Sequence, residues 1–277
     1  MQTPNTKASA PQPAASAPTL RAENVNFAYA AAPVLSNISI APRAGEILAI
    51  VGPNGSGKST LLGVLLGSLK PTAGTVYLAD KPLAAYPPDA IARAITYVPQ
   101  RPTVAFGFTV EAVVHMGRWP HRGSIGASGL LGLPGPDDAD AVGNALAACD
   151  ITHLAHRRFR ELSGGEQQRT CLARALAQQS PIMLLDEPMN ALDLRHELQL
   201  SHLLQSLANS GSAIVLVTHD LRLAGSRAQQ IAVLDHGKLM ALGTPSQVLT
   251  PQVLEPIYGV KVQHSPTGLT FTLPSII

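Results

Sequence analysis

The chain has little of several things, and each shortage closes off a class of protein. It has 2 cysteines in 277 residues, Cys149 and Cys171, and neither belongs to a C-x-x-C pair. That argues against a zinc site and against a disulfide framework, and reads both as ordinary cytosolic thiols. No window approaches 18 consecutive apolar residues, so no segment reads as a membrane span. Charged residues make up only 14% and sum to +2, scattered along the chain, so there is no basic face for nucleic acid. Residues 1–19, MQTPNTKASAPQPAASAPT, lack the apolar stretch of a signal peptide, and export is not expected. Their Ala, Pro, Ser and Thr content predicts a disordered tail. There is no internal repeat. What is abundant is apolar side chain, at 45%, enough to bury a sizeable core in one large domain or two small ones.

Against that background the segment GPNGSGKST, residues 52–60, stands out. It fits the G-x-x-x-x-G-K-[ST] phosphate loop. It follows the apolar run Ile47-Leu48-Ala49-Ile50-Val51, a candidate buried strand, and precedes Leu61, Leu62, Leu65, Leu66 and Leu69, spaced as one helical face. Gly52, Gly55 and Gly57 let backbone N–H groups of the loop, with Pro53, Asn54, Ser56 and Thr60 alongside, turn toward phosphate oxygens. The helix start adds partial positive charge. Lys58 has the reach for the β- and γ-phosphates, and the Ser59 hydroxyl for Mg²⁺. The expected ligand is therefore a nucleoside triphosphate with Mg²⁺.

Alternation from Leu20 to Ile40, with Val25, Phe27 and Tyr29 on one face, predicts antiparallel strands ahead of the loop, and residues 74–83 predict a hairpin. Ile95 to Val98 is a short strand ending in Pro99-Gln100. Residues of about 101–165 show no strong strand but contain helix-like stretches at 110–116 and 139–148 around a Gly- and Pro-rich loop at 117–136. Continuous apolar runs at 181–185 and 213–217 then fit parallel strands buried on both faces, with a helix between them. Asp235-His236-Gly237 marks a hairpin turn. The fold class expected is α/β: a P-loop NTPase mixed sheet with an N-terminal antiparallel β subdomain and an inserted helical subdomain. The expected organisation is a tail at 1–19, one ATPase domain at 20–260 with its helical subdomain at about 101–165, and a short extension at 261–277.

Asp186 and Glu187 end the run at 181–185, where strand ends of open α/β sheets face the ligand crevice. Asp186 is placed to hold Mg²⁺ through a water, and Glu187 to orient or deprotonate an attacking water. With LSGGEQQR at 162–169, the chain resembles the nucleotide-binding subunit of an ABC transporter over nearly all of residues 20–260. In that family the signature opens a helix in one subunit and faces the γ-phosphate bound by the other. The resemblance implies a homodimer in which Ser163 and Gly165 complete the partner's ATP site. It further implies that Tyr29 stacks on adenine, with Phe27 as the competitor for that role. Gln100 then contacts Mg²⁺ or water and moves with the transport subunit, residues 190–193 form a loop at the dimer seam, and His219 contacts the γ-phosphate. Met189 stands where many members have Thr or Ser. The remaining histidines, His115, His121, His153, His156, His196, His202, His236 and His264, carry no comparable signal.

VHMGRWPH at 114–121, ALDLRH at 191–196 and Tyr258-Gly259-Val260 resemble importer ATPases for ferric siderophores, haem and cobalamin. The implied function is the ATP-hydrolysing subunit of such an importer, on the cytoplasmic face of the inner membrane. Its implied partners are two transmembrane permease subunits and a secreted or periplasmic substrate-binding protein, with no nucleic acid. The alternatives are an importer for another small molecule and a soluble ABC ATPase without a transporter. Sustained heptads, a second cassette, a long C-terminal regulatory extension and an Asn-Lys-x-Asp motif are all absent from the sequence, which sets aside DNA-repair, translation-linked and sugar-importer relatives and GTPases.

Overall fold

The computed structural model describes residues 19–30, 32–104, 107–121, 136–265 and 268–273. The tail at 1–19 falls outside them except for Thr19, as does most of the loop at 117–136. β1 (Leu20–Tyr29) and β2 (Ala32–Ile40) precede β3 (Ile47–Val51), which leads through the phosphate loop into α1 (Lys58–Leu66). β4 (Ala73–Leu78), β5 (Lys81–Pro82), α2 (Pro88–Ala94) and β6 (Ile95–Val98) follow. Next come α3 (Val110–His115), a 3-10 turn at Met116–His121, α4 (Pro136–Ala148) and α5 (Gly164–Ala177). Strand and helix then alternate through β7 (Ile182–Asp186), α6 (Leu194–Asn209), β8 (Ala213–Val217), α7 (Leu221–Arg227) and β9 (Gln230–Asp235). β10 (Lys238–Gly243), α8 (Pro245–Val248), α9 (Pro251–Tyr258), β11 (Lys261–Ser265) and β12 (Gly268–Thr272) complete the order.

The apolar runs become the middle of a six-stranded sheet, order β10-β9-β3-β8-β7-β6. Its strands are parallel except β10, which pairs antiparallel with β9 at one edge. A four-stranded antiparallel sheet, order β2-β1-β4-β5, lies beside it. This is the mixed α/β class expected from the sequence. β3, β7 and β8 are buried along their whole lengths, and successive side chains feed opposite faces. Ile47, Ala49, Val51, Leu185 and Leu216 pack toward the helices between β6 and β7, among them Val113, Leu146 and Leu172. Leu48, Ile50, Leu184 and Val217 pack against Leu61, Leu62 and Leu65 of α1 and against Val25 and Ile38 of the antiparallel sheet. Each such fully buried side chain contributes about 1.5–3 kcal/mol, so α1 is held from both sides rather than by its own propensity.

Two local features depart from a plain reading of periodicity. α1 stops at Gly67, left-handed at φ 79, whose N–H bonds the Val64 carbonyl at 3.1 Å. Leu69 therefore lies beyond the helical face expected to include it, and its N–H returns to the Gly63 carbonyl at 3.0 Å. At the β9–β10 turn, His236 and Gly237 both take positive φ, 44 and 73, a pairing whose twist suits a two-residue hairpin. Gly237 also joins the two sheets: its carbonyl accepts from Ser36 N at 2.8 Å and its N–H donates to Ser56 O at 3.1 Å. A Cβ there would lie 2.0 Å from the Val34 carbonyl oxygen. The phosphate loop is thus pinned to the antiparallel sheet at a point where no side chain fits. Among the described residues no helix is long and apolar enough to cross a membrane.

Candidate functional site

The phosphate loop leaves the end of β3 and turns into α1 through Gly57, left-handed at φ 98, with no acidic residue in the first helical turn to oppose an anion. It borders a cavity of about 360 Å³ lined by Asn54, Gly55, Lys58, Thr60, Gln100 and Glu187, among others. Lys58 is buried, and its ammonium donates to the carbonyls of Gly52 and Pro53, both at 2.9 Å. Burial pulls its pKa below the ordinary lysine value, while the negative charges of Glu187 and Asp186 oppose that fall. A partly desolvated cation held by two carbonyls is poised to exchange neutral acceptors for phosphate oxygens.

Asp186 ends β7 and is only 3% exposed. Burial raises its carboxyl above the usual range; the Ser59 hydroxyl opposes the rise, the Glu187 charge adds to it, and Lys58 and the Tyr97 phenol oppose it. Its Oδ1 is buried with no hydrogen-bond partner. Tyr97 is pushed up to about 12, by burial first and then by the Asp186 charge it faces. A carboxylate with one orphaned oxygen, beside a serine hydroxyl, is a hard oxygen-donor set, which fits a magnesium ion that keeps waters and phosphate oxygens as its other ligands. No group of three or more His, Cys, Asp or Glu side chains gathers among the described residues, so the protein alone offers no complete cage.

Glu187, next along, has φ 47, a left-handed conformation that costs a residue of this type about 1–3 kcal/mol and persists only where surroundings impose it. Those surroundings are Val217 O, which accepts its N–H at 3.0 Å, and Asn190 N, which donates to its carbonyl at 3.3 Å. The bend carries the carboxylate away from the strand axis into the cavity rim. Its Oε2 accepts from Gln100 Nε2 at 2.6 Å and from Asn190 Nδ2, and stands 3.8 Å from His219 Nδ1. One carboxylate thus gathers three side chains, one from its own loop and two from distant parts of the sequence.

The signature lies elsewhere. Ser163 caps α5 in a closed capping box: its N–H and hydroxyl both donate to Glu166 Oε2, at 2.7 and 2.9 Å, and its Oγ accepts from Glu166 N. These bonds hold the Glu166 carboxyl below the usual range. Ser163 and Gly164 are exposed. A Cβ on Gly165 would stand 2.7 Å from the Ala191 carbonyl oxygen, so the start of α5 presses on the loop at 190–193.

The structure therefore brings Lys58, Ser59, Thr60, Gln100, Asp186, Glu187 and His219 together around one end of the parallel sheet. Ser163 and Gly165 do not line that cavity. Tyr29 does not line it either, and stands 53% exposed at the end of β1, whereas Phe27 is buried with its ring edge-on to Tyr29 at 4.8 Å. Sequence reasoning passed over Tyr97 as a site residue and did not foresee the Asn190–Glu187 bond. For Tyr97 the usable signal was a tyrosine in a short strand parallel to the one that ends in Asp186.

The ABC transporter family pattern matches residues 35–190. The hemin import ATP-binding protein HmuV of Thermobifida fusca is 44% identical over 258 residues, covering 92% of this chain and 88% of that protein. The chain belongs to the ABC transporter family. The protein of the same name in Nocardia farcinica is 46% identical over 245 residues, 87% of this chain and 82% of that one. Among solved structures, the bacterial ABC transporter cassette MJ0796 in dimeric form aligns with a TM-score of 0.72 at 28% identity, over 82% of this chain and 98% of that one. Its dimeric post-hydrolysis state bound to ADP and Pi aligns with a TM-score of 0.71, also at 28% identity and the same coverage. The protein is an ATP-binding, ATP-hydrolysing subunit of this family.

Proposed function

We propose that two copies of this chain bind two Mg·ATP at a shared interface and hydrolyse them to drive uptake of haem, or a related iron chelate, through two copies of a partner permease. The observation that carries the hydrolytic part is the convergence on Glu187 of Gln100, Asn190 and His219, beside Lys58 and Asp186. Lys58 and the N–H groups of the loop bind the phosphates, and Tyr29, exposed at a strand end, stacks on the base. Ser59, Gln100 and, through water, Asp186 would hold Mg²⁺, which supplies charge neutralisation between phosphates. Glu187 takes the proton of the attacking water, Gln100 and His219 orient that water and the γ-phosphate, and Lys58 balances the developing charge.

Ser163 and Gly165 sit at an exposed helix start and do not line their own chain's cavity, which suits delivery to a second copy related by two-fold symmetry. A dimeric relative supports this arrangement. The segment at about 101–165 acts as the helical subdomain within the ATPase domain at 20–260, and with Gln100 it passes motion to the permease on the cytoplasmic face of the membrane. A substrate-binding protein outside that membrane delivers the cargo.

The choice of haem rests on likeness to proteins named for hemin import over about nine-tenths of the chain. It is tested by deleting the gene and growing the cells on haem, a ferric siderophore or inorganic iron as sole iron source. Loss of growth on haem alone, restored by the intact gene and not by Glu187→Gln, is the expected result. Unimpaired growth on haem with failure on the siderophore would move the assignment to that cargo.

A further inference from the structure

His196 carries no functional signal of its own in the sequence, yet the structure places it between two carboxylates from different parts of the fold. Its Nδ1 lies 2.7 Å from Asp193 Oδ1, which also accepts the His196 backbone N–H at 2.9 Å. On the other side of the ring, Nε2 stands 3.9 Å from Asp150 Oδ2, and Arg195 Nη2 stands 3.8 Å from the same oxygen. The ring is only 18% exposed, so it is wedged rather than free to swing.

Each carboxylate is tied to a functional segment. Asp193 caps α6 and ends the loop at 190–193, whose Asn190 donates to Glu187. Asp150 follows α4 in a left-handed turn, φ 54, and the guanidinium of Arg169 fixes that turn by donating to the carbonyls of Asp150 at 2.9 Å and Cys149 at 3.3 Å. Arg169 is the last residue of LSGGEQQR. The signature helix therefore reaches the loop that touches Glu187 by two routes. One is the packing of Gly165 on Ala191, and the other runs from Arg169 through the Asp150 turn and His196 to Asp193. Two separated points of support fix a loop's orientation where one would leave it a pivot.

We propose that Asp150 and His196 form a strut that makes the position of the signature helix a condition for the alignment of Glu187 in the same chain, with His196 a positioning residue for ATP hydrolysis. The strut rests on the reading of Glu187 as the residue that activates water. Its signature is kinetic: loosening the loop misaligns the water-activating carboxylate while the phosphate loop, on the other side of the cavity, still binds nucleotide.

The test uses the full-length chain with Mg·ATP and measures steady-state phosphate release. Asp150→Asn is chosen because asparagine tolerates the left-handed turn while losing the charge; His196→Gln keeps a polar side chain on α6. Each should lower kcat by roughly three- to fivefold, as loss of one partly exposed polar contact allows, with KM for ATP within about twofold of the unmodified protein. The double variant should be no slower than the slower single one, because both remove the same contact. Unchanged kcat in both single variants, a change in KM alone, or losses that multiply in the double variant would overturn the strut. Glu187→Gln, run alongside, separates the two claims. If it retains turnover, the reading of Glu187 fails; if it is inactive while Asp150→Asn and His196→Gln match the unmodified protein, only the strut fails.

Discussion

Replacing Asp186 by asparagine should make the nucleotide-free protein more stable while ending hydrolysis. Asp186 is 3% exposed and its Oδ1 has no partner. A buried polar atom left unpaired costs about 1–3 kcal/mol, more when it bears charge. The Ser59 and Tyr97 hydroxyls and the Lys58 charge offset part of this cost, but burial wins, since the carboxyl is held above its ordinary value. Asparagine removes the charge and leaves an oxygen for one of those hydroxyls. Lys58 loses one of its two negative neighbours, which returns some of the gain. The balance is about 1–2 kcal/mol in favour of the variant, or a melting temperature higher by about 2–8 °C for a chain of this size. The sign follows from linkage. A carboxyl whose pKa is raised on folding burdens the native state fully above the raised value, and the burden fades as pH falls through it toward the unfolded value of 3.8. The advantage of the variant should therefore be largest at neutral pH and shrink toward about pH 4, the ordinary aspartate range. Urea and thermal unfolding without nucleotide at both pH values measure it. A variant less stable than the unmodified protein at neutral pH would refute the claim that burial dominates at Asp186.

Tyr97→Phe removes a donor to the same carboxylate and should lower kcat/KM for Mg·ATP by about tenfold, the lower end for a bond to a charged group, with an unchanged circular dichroism spectrum. It should also push the Asp186 carboxyl further up, moving the acid limb of the rate profile to higher pH. Gly237→Ala forces a Cβ to within 2.0 Å of the Val34 carbonyl oxygen at φ 73 and should cost about 2–4 kcal/mol in urea unfolding, with the phosphate loop loosened as well. Glu187→Gln should retain ATP affinity by calorimetry and lose about 10²–10⁴-fold in turnover.

The parts of the site that are legible in the sequence are those whose chemistry is local. GPNGSGKST between an apolar run and a leucine-rich face holds its own geometry, and the structure places it between β3 and α1. Runs such as Ile214 to Val217 read as buried parallel strands because both faces must be apolar. Contacts made across the sheet are invisible to such a reading. Tyr97 reaches Asp186 because β6 pairs with β7 in a register that sets Tyr97 beside Leu184 and Val98 beside Leu185. Glu187 meets Gln100, Asn190 and His219 because its backbone takes a strained turn that no propensity predicts. Leu69 kept the helical spacing, but the left-handed Gly67 ended the helix before it. His196 ends ALDLRH, a stretch that suggests a subgroup and gives the histidine no role, and its place between Asp150 and Asp193 follows from how α4 and α6 lie together.

The central claim is that ATP is hydrolysed at a site completed by a second copy of the chain. Two variants test it together. Ser163→Arg removes the cap of α5, a loss of about 1 kcal/mol that leaves the fold intact, and puts bulk and charge where the partner's γ-phosphate docks. Lys58→Ala removes the buried cation of the phosphate loop. Each should be inactive alone, and Ser163→Arg should still bind ATP. Co-expressed, they form a heterodimer in which one site carries both lesions and the other carries neither. Phosphate release that returns when the two are co-expressed is the predicted result. Full activity of the Ser163→Arg protein by itself would contradict the shared site.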